Sequence, residues 1–233
     1  MNPNKRELES TDGFSDRALS ASEQPIHFAG STLGSRRHIC AFFSSPEQEY
    51  RVLLPFIKEG FERGEKAFHL VKSELREEHL RRLQSAGIDV ALEEQEGQLE
   101  VRDRDEYYFP DGAFDEDRLF ATWHTVLEGA VKQGYPRTRV VAHLDWTRDD
   151  AEVLLQYEAN FNRSVPCHRD PVICTYDSSK HSGAFIIDVI RTHPMIIVGG
   201  ILQENPFYVE PEEFVRELRE RAVARANSST GVV

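Results

Sequence analysis

The chain has few cysteines, few basic residues and no long apolar run, and each shortage removes a class of protein. Its 233 residues include three cysteines, Cys40, Cys167 and Cys174. An odd, sparse set does not form a disulfide framework. Cys40 and Cys174 lie inside apolar runs and read as buried thiols of a reducing compartment. No stretch approaches the ~20 apolar residues of a membrane span. The amino-terminal stretch lacks the apolar segment of a secretory signal, so a cytoplasmic protein away from membranes is expected. Lysine and arginine total 28 against 40 acidic residues, a formal net charge of -12. Direct nucleic-acid contact needs clustered positive charge to neutralise phosphates, so that role is not expected.

Strands alternate with helices along the chain. His38-Ile-Cys-Ala-Phe-Phe43 is a short apolar run suited to a buried strand. A helix follows, with Ser45 as its N-cap and Pro46 in its first turn. Tyr50, Leu53, Leu54, Ile57 and Phe61 form its apolar face, and Pro55 is expected to kink it. Further strands are expected at 66–71, 99–101, 140–146, 171–176 and 195–198. Intervening helices are marked by Leu75, His79, Leu80 and Leu83, by Leu119, Trp123, Val126 and Leu127 after Asp115, and by Leu154, Tyr157 and Phe161 after an Asp149-x-x-Glu152 capping box. Phe185 to Ile190 marks a short helix, and Glu210-Pro211 opens the last. This order implies an α/β fold, a mainly parallel sheet flanked by helices on both faces. Composition divides the chain into an amino-terminal tail over 1–35, one domain over 36–224 and a short tail over 225–233. Within the first tail, Ile26-His-Phe28 is apolar enough to dock locally.

The loop after the first strand lacks what a nucleotide site requires. It reads Ser44-Ser-Pro-Glu-Gln-Glu49, with no glycine and no Lys-Ser/Thr pair. Pro46 removes one N–H donor, and Glu47 and Glu49 would repel a triphosphate. Other chemistries lack their patterns too. No histidine pair has the i, i+4 spacing of a His-Glu-x-x-His helix, and there is no Cys-x-x-Cys. No serine sits in Gly-x-Ser-x-Gly. Cys167 beside His168 reads as a loop pair between prolines. No catalytic residue, metal or cofactor is therefore expected.

Ligands of open parallel sheets bind beyond the carboxyl ends of the strands. A small organic molecule is the expected ligand there. Ser44, Ser45 and Glu49 belong to the loop, while His143, Trp146 and Tyr176 close later strands. Glu158 and Asn162 share one helix face at i, i+4. His38, alternating with Cys40 on one side of its strand, and His193 complete the ligand-binding candidates. Asp145, closing an apolar strand, supports the alternative of a residual nucleotide-binding protein or weak ATPase, with Asp145 as its metal contact.

Several stretches resemble the MEDS family of prokaryotic sensory domains. They are His38-Ile-Cys, Pro55-Phe-Ile-Lys-Glu-Gly60 with Gly64-Glu65, Gly134-Tyr-Pro136 with Arg139-Val-Val141, Trp146, Tyr157-Glu158 and Tyr176-Asp177. The most specific block is Arg191-Thr-His-Pro194 with Val198-Gly-Gly200 and Asn205-Pro-Phe-Tyr-Val209. The resemblance runs from His38 to about Val215. It implies a RecA-like layout without a functional phosphate loop, and a non-catalytic sensor of small hydrocarbon-derived ligands. It also implies output through a regulatory partner: a kinase, an anti-sigma factor or a transcription regulator. His143 stands where the family pattern carries an acidic residue, and His181 where it carries an aromatic one.

Overall fold

A computed structural model of the chain describes residues 25–145, 151–165 and 169–230. Trp146, the Asp149 cap, the Cys167-His168 pair and most of the amino-terminal tail lie outside those residues. The main sheet has seven strands: β3 (His38–Phe43), β4 (Lys66–Val71), β5 (Leu99–Asp103), β6 (Thr138–His143), β7 (Val172–Asp177), β8 (Met195–Val198) and β9 (Ile201–Glu204). Their order is β5-β4-β6-β7-β3-β8-β9. Every neighbouring pair is parallel except β8–β9. The α/β layout expected from the alternation is therefore the one found. The first long strand, β3, lies inside the sheet between β7 and β8. That placement explains its continuous apolar sequence, because both faces are covered.

One face carries α1 (Pro46–Glu62) and α2 (Ser73–Ser85); the other carries α5 (Glu116–Lys132), α6 (Ala151–Ser164), α7 (Gly183–Thr192) and α8 (Pro211–Thr230). Two short helices, α3 (Val90–Glu96) and α4 (Arg104–Tyr108), flank β5. Period-2 alternation sorts the strand residues. Cys40, Phe68, Val140, Ala142 and Cys174 face the α5–α8 side, while Ile39, Ala41, Ala67, Val141 and Ile173 face α1. Among the described residues, no helix is long and apolar enough to cross a membrane.

Helix α1 starts as its sequence indicates. Ser45 accepts a hydrogen bond from the Gln48 N–H at 3.3 Å, and Pro46 occupies the first turn. The helix runs on through Pro55, which is exposed like Arg51 one turn before it. The backbone bond that proline removes therefore faces water. Five elements go beyond the sequence reading. Gly199 and Gly200, at φ 61° and 80°, make the two-residue turn that adds β9 to β8. Asp89 caps α3 and Asp103 caps α4. Finally, β1 (Ile26–Phe28) and β2 (Ser31–Leu33) form a hairpin.

This hairpin lies within residues 1–35, the stretch read from composition as a tail. Ile26, Phe28 and Leu33 are buried, the Phe28 ring lies 4.7 Å from Phe56 of α1, and Leu202 N–H donates to Ala29 O at 2.9 Å. Residues 26–33 therefore cover the β9 edge, which would otherwise offer unpaired backbone groups. The composition was tail-like because only one side of the hairpin is apolar.

Behind α1, at the amino end of β4 and β6, Gly60 leaves room for the Arg139 side chain. A Cβ at Gly60 would stand 2.8 Å from Arg139 Cδ. Arg139 is fixed by Glu65, Glu59 and the Phe56 carbonyl, so it cannot withdraw. Gly60→Ala is expected to destabilise the fold by about 1–3 kcal/mol by overpacking, despite the ~1 kcal/mol alanine gains in a helix. Urea unfolding measures the difference.

Candidate functional site

The carboxyl ends of β3, β6 and β7 open into a cavity of ≈ 140 Å³ roofed by α1 and α2. An apolar cavity of ~150 Å³ admits benzene, so the space suits a molecule of a few heavy atoms. Phe43, Tyr50, Leu75 and Tyr176 supply apolar wall. Glu49 and His143 make a polar corner, with His143 Nε2 2.9 Å from the Glu49 carboxylate. Burial disfavours charge on His143, but the adjoining Glu49 carboxylate, helped by Asp145, outweighs it and raises the pKa. The hydroxyl of Tyr176 is buried and has no hydrogen-bond partner among the described residues.

The loop beneath the cavity is closed on itself. Gln48 Oε1 accepts from both Ser44 N–H at 2.8 Å and Ser44 Oγ–H at 2.9 Å. The backbone donor that a phosphate loop would present outward is used internally. Asp145 is likewise engaged. It accepts from Lys180 Nζ at 2.6 Å and from the Asp177 N–H at 3.1 Å. Burial favours its neutral form, but bonds from His181 and Lys180 outweigh this and hold its pKa well below the carboxylate range. His181 also stacks on Phe185 at 4.6 Å, doing what an aromatic would do at that position.

Behind the cavity wall runs a buried line of polar rings absent from the sequence-based site. Tyr50 Oη lies 2.6 Å from His79 Nδ1, and His79 Nε2 lies 2.9 Å from His69 Nδ1. The His79 ring meets the His143 ring edge-on at 6.0 Å. Both Tyr50 and His143 line the cavity. The signal for this line was thin: His79 fell on the inner face of α2 and His69 inside an apolar strand, ten residues apart with no motif spacing.

The other candidates gather elsewhere, on the α6–α7 side of the sheet toward its amino end. His38 is the first residue of a six-residue strand. At ~3.3 Å per residue it lies roughly 16 Å from the cavity end of β3. Glu158 and Asn162 face inward from α6. The Glu158 carboxylate oxygen Oε2 lies 3.3 Å from His38 Nε2, 3.2 Å from His193 Nε2 and 3.7 Å from Cys174 Sγ. Asn162 Nδ2 donates to Thr192 O at 2.7 Å, which turns its Oδ1 toward His38 Nδ1 at 3.0 Å. Burial, reinforced by the neighbouring His193, lowers the His38 pKa to about 4.

The single rim expected from the sequence is thus two places. Ser45, Glu49, His143 and Tyr176 line the carboxyl-end cavity, with Ser44 in the loop below. His38, Glu158, Asn162 and His193 form a separate buried cluster, joined by Cys174. Trp146 lies outside the described residues.

Residues 37–194 match the family model described as "MEthanogen/methylotroph, DcmR Sensory domain", abbreviated MEDS. A curated relative, the transcriptional repressor DcmR of Methylorubrum extorquens, is 24% identical over 170 residues. That alignment takes in 71% of this chain and 61% of the repressor.

Proposed function

Because the chain belongs to the MEDS family of sensory domains, we propose that it is a cytoplasmic, non-catalytic sensor of a small organic molecule that signals through a regulatory partner. The observation that carries this reading is the cavity at the carboxyl end of the sheet. It stands where open parallel sheets bind ligands, yet its ≈ 140 Å³ matches a benzene-sized molecule. The ligand class that fits is a small hydrocarbon derivative. Its apolar part would rest on Phe43, Tyr50 and Leu75, and its one polar group would meet the Glu49–His143 corner. A nucleotide fits poorly. The Ser44 donor is spent on Gln48, and Asp145 holds Lys180.

Output would pass to a kinase, an anti-sigma factor or a transcription regulator. DcmR is a transcriptional repressor, and the -12 net charge of this chain disfavours DNA contact by its own surface. The test is a thermal-shift screen of small alcohols, amines, carbonyl compounds and haloalkanes. A binder present at 100 times its Kd should stabilise the chain by about 2.7 kcal/mol. Leu75→Trp, which fills the cavity mouth, should abolish the shift, and His143→Ala should weaken it for polar ligands only. An unchanged shift in Leu75→Trp would place the ligand elsewhere. A shift with ATP and Mg²⁺ that vanishes in Asp145→Ala would favour the nucleotide reading instead.

A further inference from the structure

We propose that His38, Glu158, Cys174 and His193 form a closed, four-coordinate site for a divalent transition metal, with Zn²⁺ as the best match. The four residues are buried, and their ligand atoms all lie within 4.8 Å of one another. They come from four elements: the start of β3, the middle of α6, the middle of β7 and the turn before β8. No sequence spacing could reveal such a set.

The hydrogen bonds around the cluster fix which ring nitrogens face it. The amide of Asn162 donates to Thr192 O, so its oxygen accepts from His38 Nδ1–H at 3.0 Å. His193 Nδ1 lies 2.9 Å from the Val189 carbonyl, to which it can only donate. Both imidazoles therefore carry their proton on Nδ1 and turn bare Nε2 lone pairs inward. A carboxylate oxygen stands 3.3 Å from one of them and 3.2 Å from the other. Three acceptors converge on the weak Cys174 S–H donor, which reaches Glu158 Oε2 at 3.7 Å, and His193 Nε2 and Glu158 Oε1 have no hydrogen-bond partner among the described residues. Such a group is repulsive unless a cation sits at its centre. Nδ1–H bonds to a side-chain amide and a carbonyl are the outer contacts that orient metal-binding histidines.

Four of the six ligand–ligand distances match the edges of a tetrahedron, and the other two are within 4.8 Å. Bonds of ~2.0 Å to nitrogen and oxygen require ligand–ligand edges of ~3.3 Å, and a sulfur at ~2.3 Å requires edges of ~3.5 Å. The N···O edges are 3.3 and 3.2 Å, and the edges to Cys174 Sγ are 3.5 Å from His38 Nε2 and 3.7 Å from Glu158 Oε2. The charges also close. A thiolate and a carboxylate neutralise one divalent ion, as a water-excluded site requires. On binding, the Cys174 thiol gives its proton to solvent. A cavity of ≈ 370 Å³ at the amino end of the sheet reaches His38 and Asn162 beside the cluster. With four protein ligands no position stays open for a substrate, so the ion braces α6 and α7 against the sheet and does not act as a Lewis acid.

The full chain, stripped with a chelator and dialysed, would be titrated with Co²⁺ and then with Zn²⁺ against a chromophoric chelator. One equivalent of Co²⁺ should bind with the intense visible bands of tetrahedral coordination and a thiolate charge-transfer band, and one equivalent of Zn²⁺ should displace it. Cys174→Ala should lose the charge-transfer band. Asn162→Leu, which removes the outer contact to His38 and the bond to Thr192 O but none of the four ligands, should lower Zn²⁺ affinity 10–100-fold. Circular dichroism checks that each variant is folded. Failure of the wild-type chain to bind a stoichiometric ion would overturn the proposal and leave a shared proton as the cation. So would bound Co²⁺ with no thiolate band, a result that needs no variant.

Discussion

Glu65→Ala is expected to lower the stability of the chain by about 3–5 kcal/mol, the range seen when one partner of a buried ion pair is removed. Glu65 is 1% exposed and sits where α1 passes into β4, at the amino end of the sheet. One of its carboxylate oxygens accepts from Arg137 Nη1 at 2.8 Å and the other from Arg139 Nε. Those arginines are 0% and 1% exposed. Arg139 also stacks its guanidinium over the Phe56 ring at 4.6 Å and bonds Glu59 at 3.0 Å. Burial lowers the Arg137 pKa even with Glu65 present. Removing the carboxylate leaves two desolvated guanidinium groups side by side, and that penalty dominates the loss of the hydrogen bonds themselves. The triple variant Glu65→Leu/Arg137→Met/Arg139→Met is expected to cost less than Glu65→Ala alone, because it removes the charges together. Urea denaturation of the three proteins decides the matter. A loss below about 1 kcal/mol in Glu65→Ala would mean that water or neighbouring acids already screen the arginines.

The ion cluster also shows what the family-like stretches encode. Gly60, Gly64-Glu65 and Arg139 were separate fragments in the sequence, and in the fold they meet at one place. The Arg191-Thr-His-Pro194 and Asn205-to-Val209 blocks behave alike. Asn205 Nδ2 donates to the carbonyls of Ile190 at 2.6 Å and His193 at 2.7 Å, and Val209 N–H donates to Arg191 O at 2.9 Å. This clasp sets the turn that carries His193. The most recognisable residues are thus largely braces, and they say little about the cavity where a ligand would rest.

Local patterns were legible where local physics decides them. The Ser45-Pro46 helix start, the Asp115 cap and the six strands from β3 to β8 all follow from capping chemistry and apolar runs. The hairpin β1–β2 was not, because its apolar residues gain meaning only against Phe56 and Leu202. The candidate site was half legible. The i, i+4 spacing put Glu158 and Asn162 on one helix face, and in the fold that face turns inward. Sequence could not tell at which end of a strand a residue works. His38 and Phe43 bound the same six-residue run, and only the cavity beside Phe43 assigns the ends different tasks.

Acid is expected to unfold the chain well above the pH at which carboxylates are protonated, and the line of rings behind the cavity is the reason. His69 and His79 are 0% and 1% exposed. Burial, together with the neighbouring His143, lowers the His69 pKa to about 3. Burial first, then His69, His143 and Arg76, place His79 well below its ordinary value. Tyr50 caps the line as a neutral phenol, since burial beside Glu49 raises its pKa further. In the unfolded chain both histidines take up protons below ~6.5, while the folded chain leaves them neutral. The unfolded state then binds more protons, so stability is full above ~6.5 and falls as the pH drops. These two groups give a slope of about 2.7 kcal/mol per pH unit between ~6 and ~4, and His38, whose folded pKa is lowered to about 4, adds about one further proton to it. His143 adds nothing to this slope. Its raised pKa means that folded and unfolded forms both carry the proton in that window, and its own contribution is lost only as the pH rises through the folded value. Protonating both His69 and His79 would also set N–H against N–H across their 2.9 Å contact. Urea midpoints at pH 7, 6 and 5 measure the slope. His69→Gln, which keeps a hydrogen-bonding neighbour for His79 and cannot titrate, should cut it by about one proton, or 1.4 kcal/mol per pH unit. A stability that stays flat from pH 7 to 5 would mean that the rings accept charge in the fold.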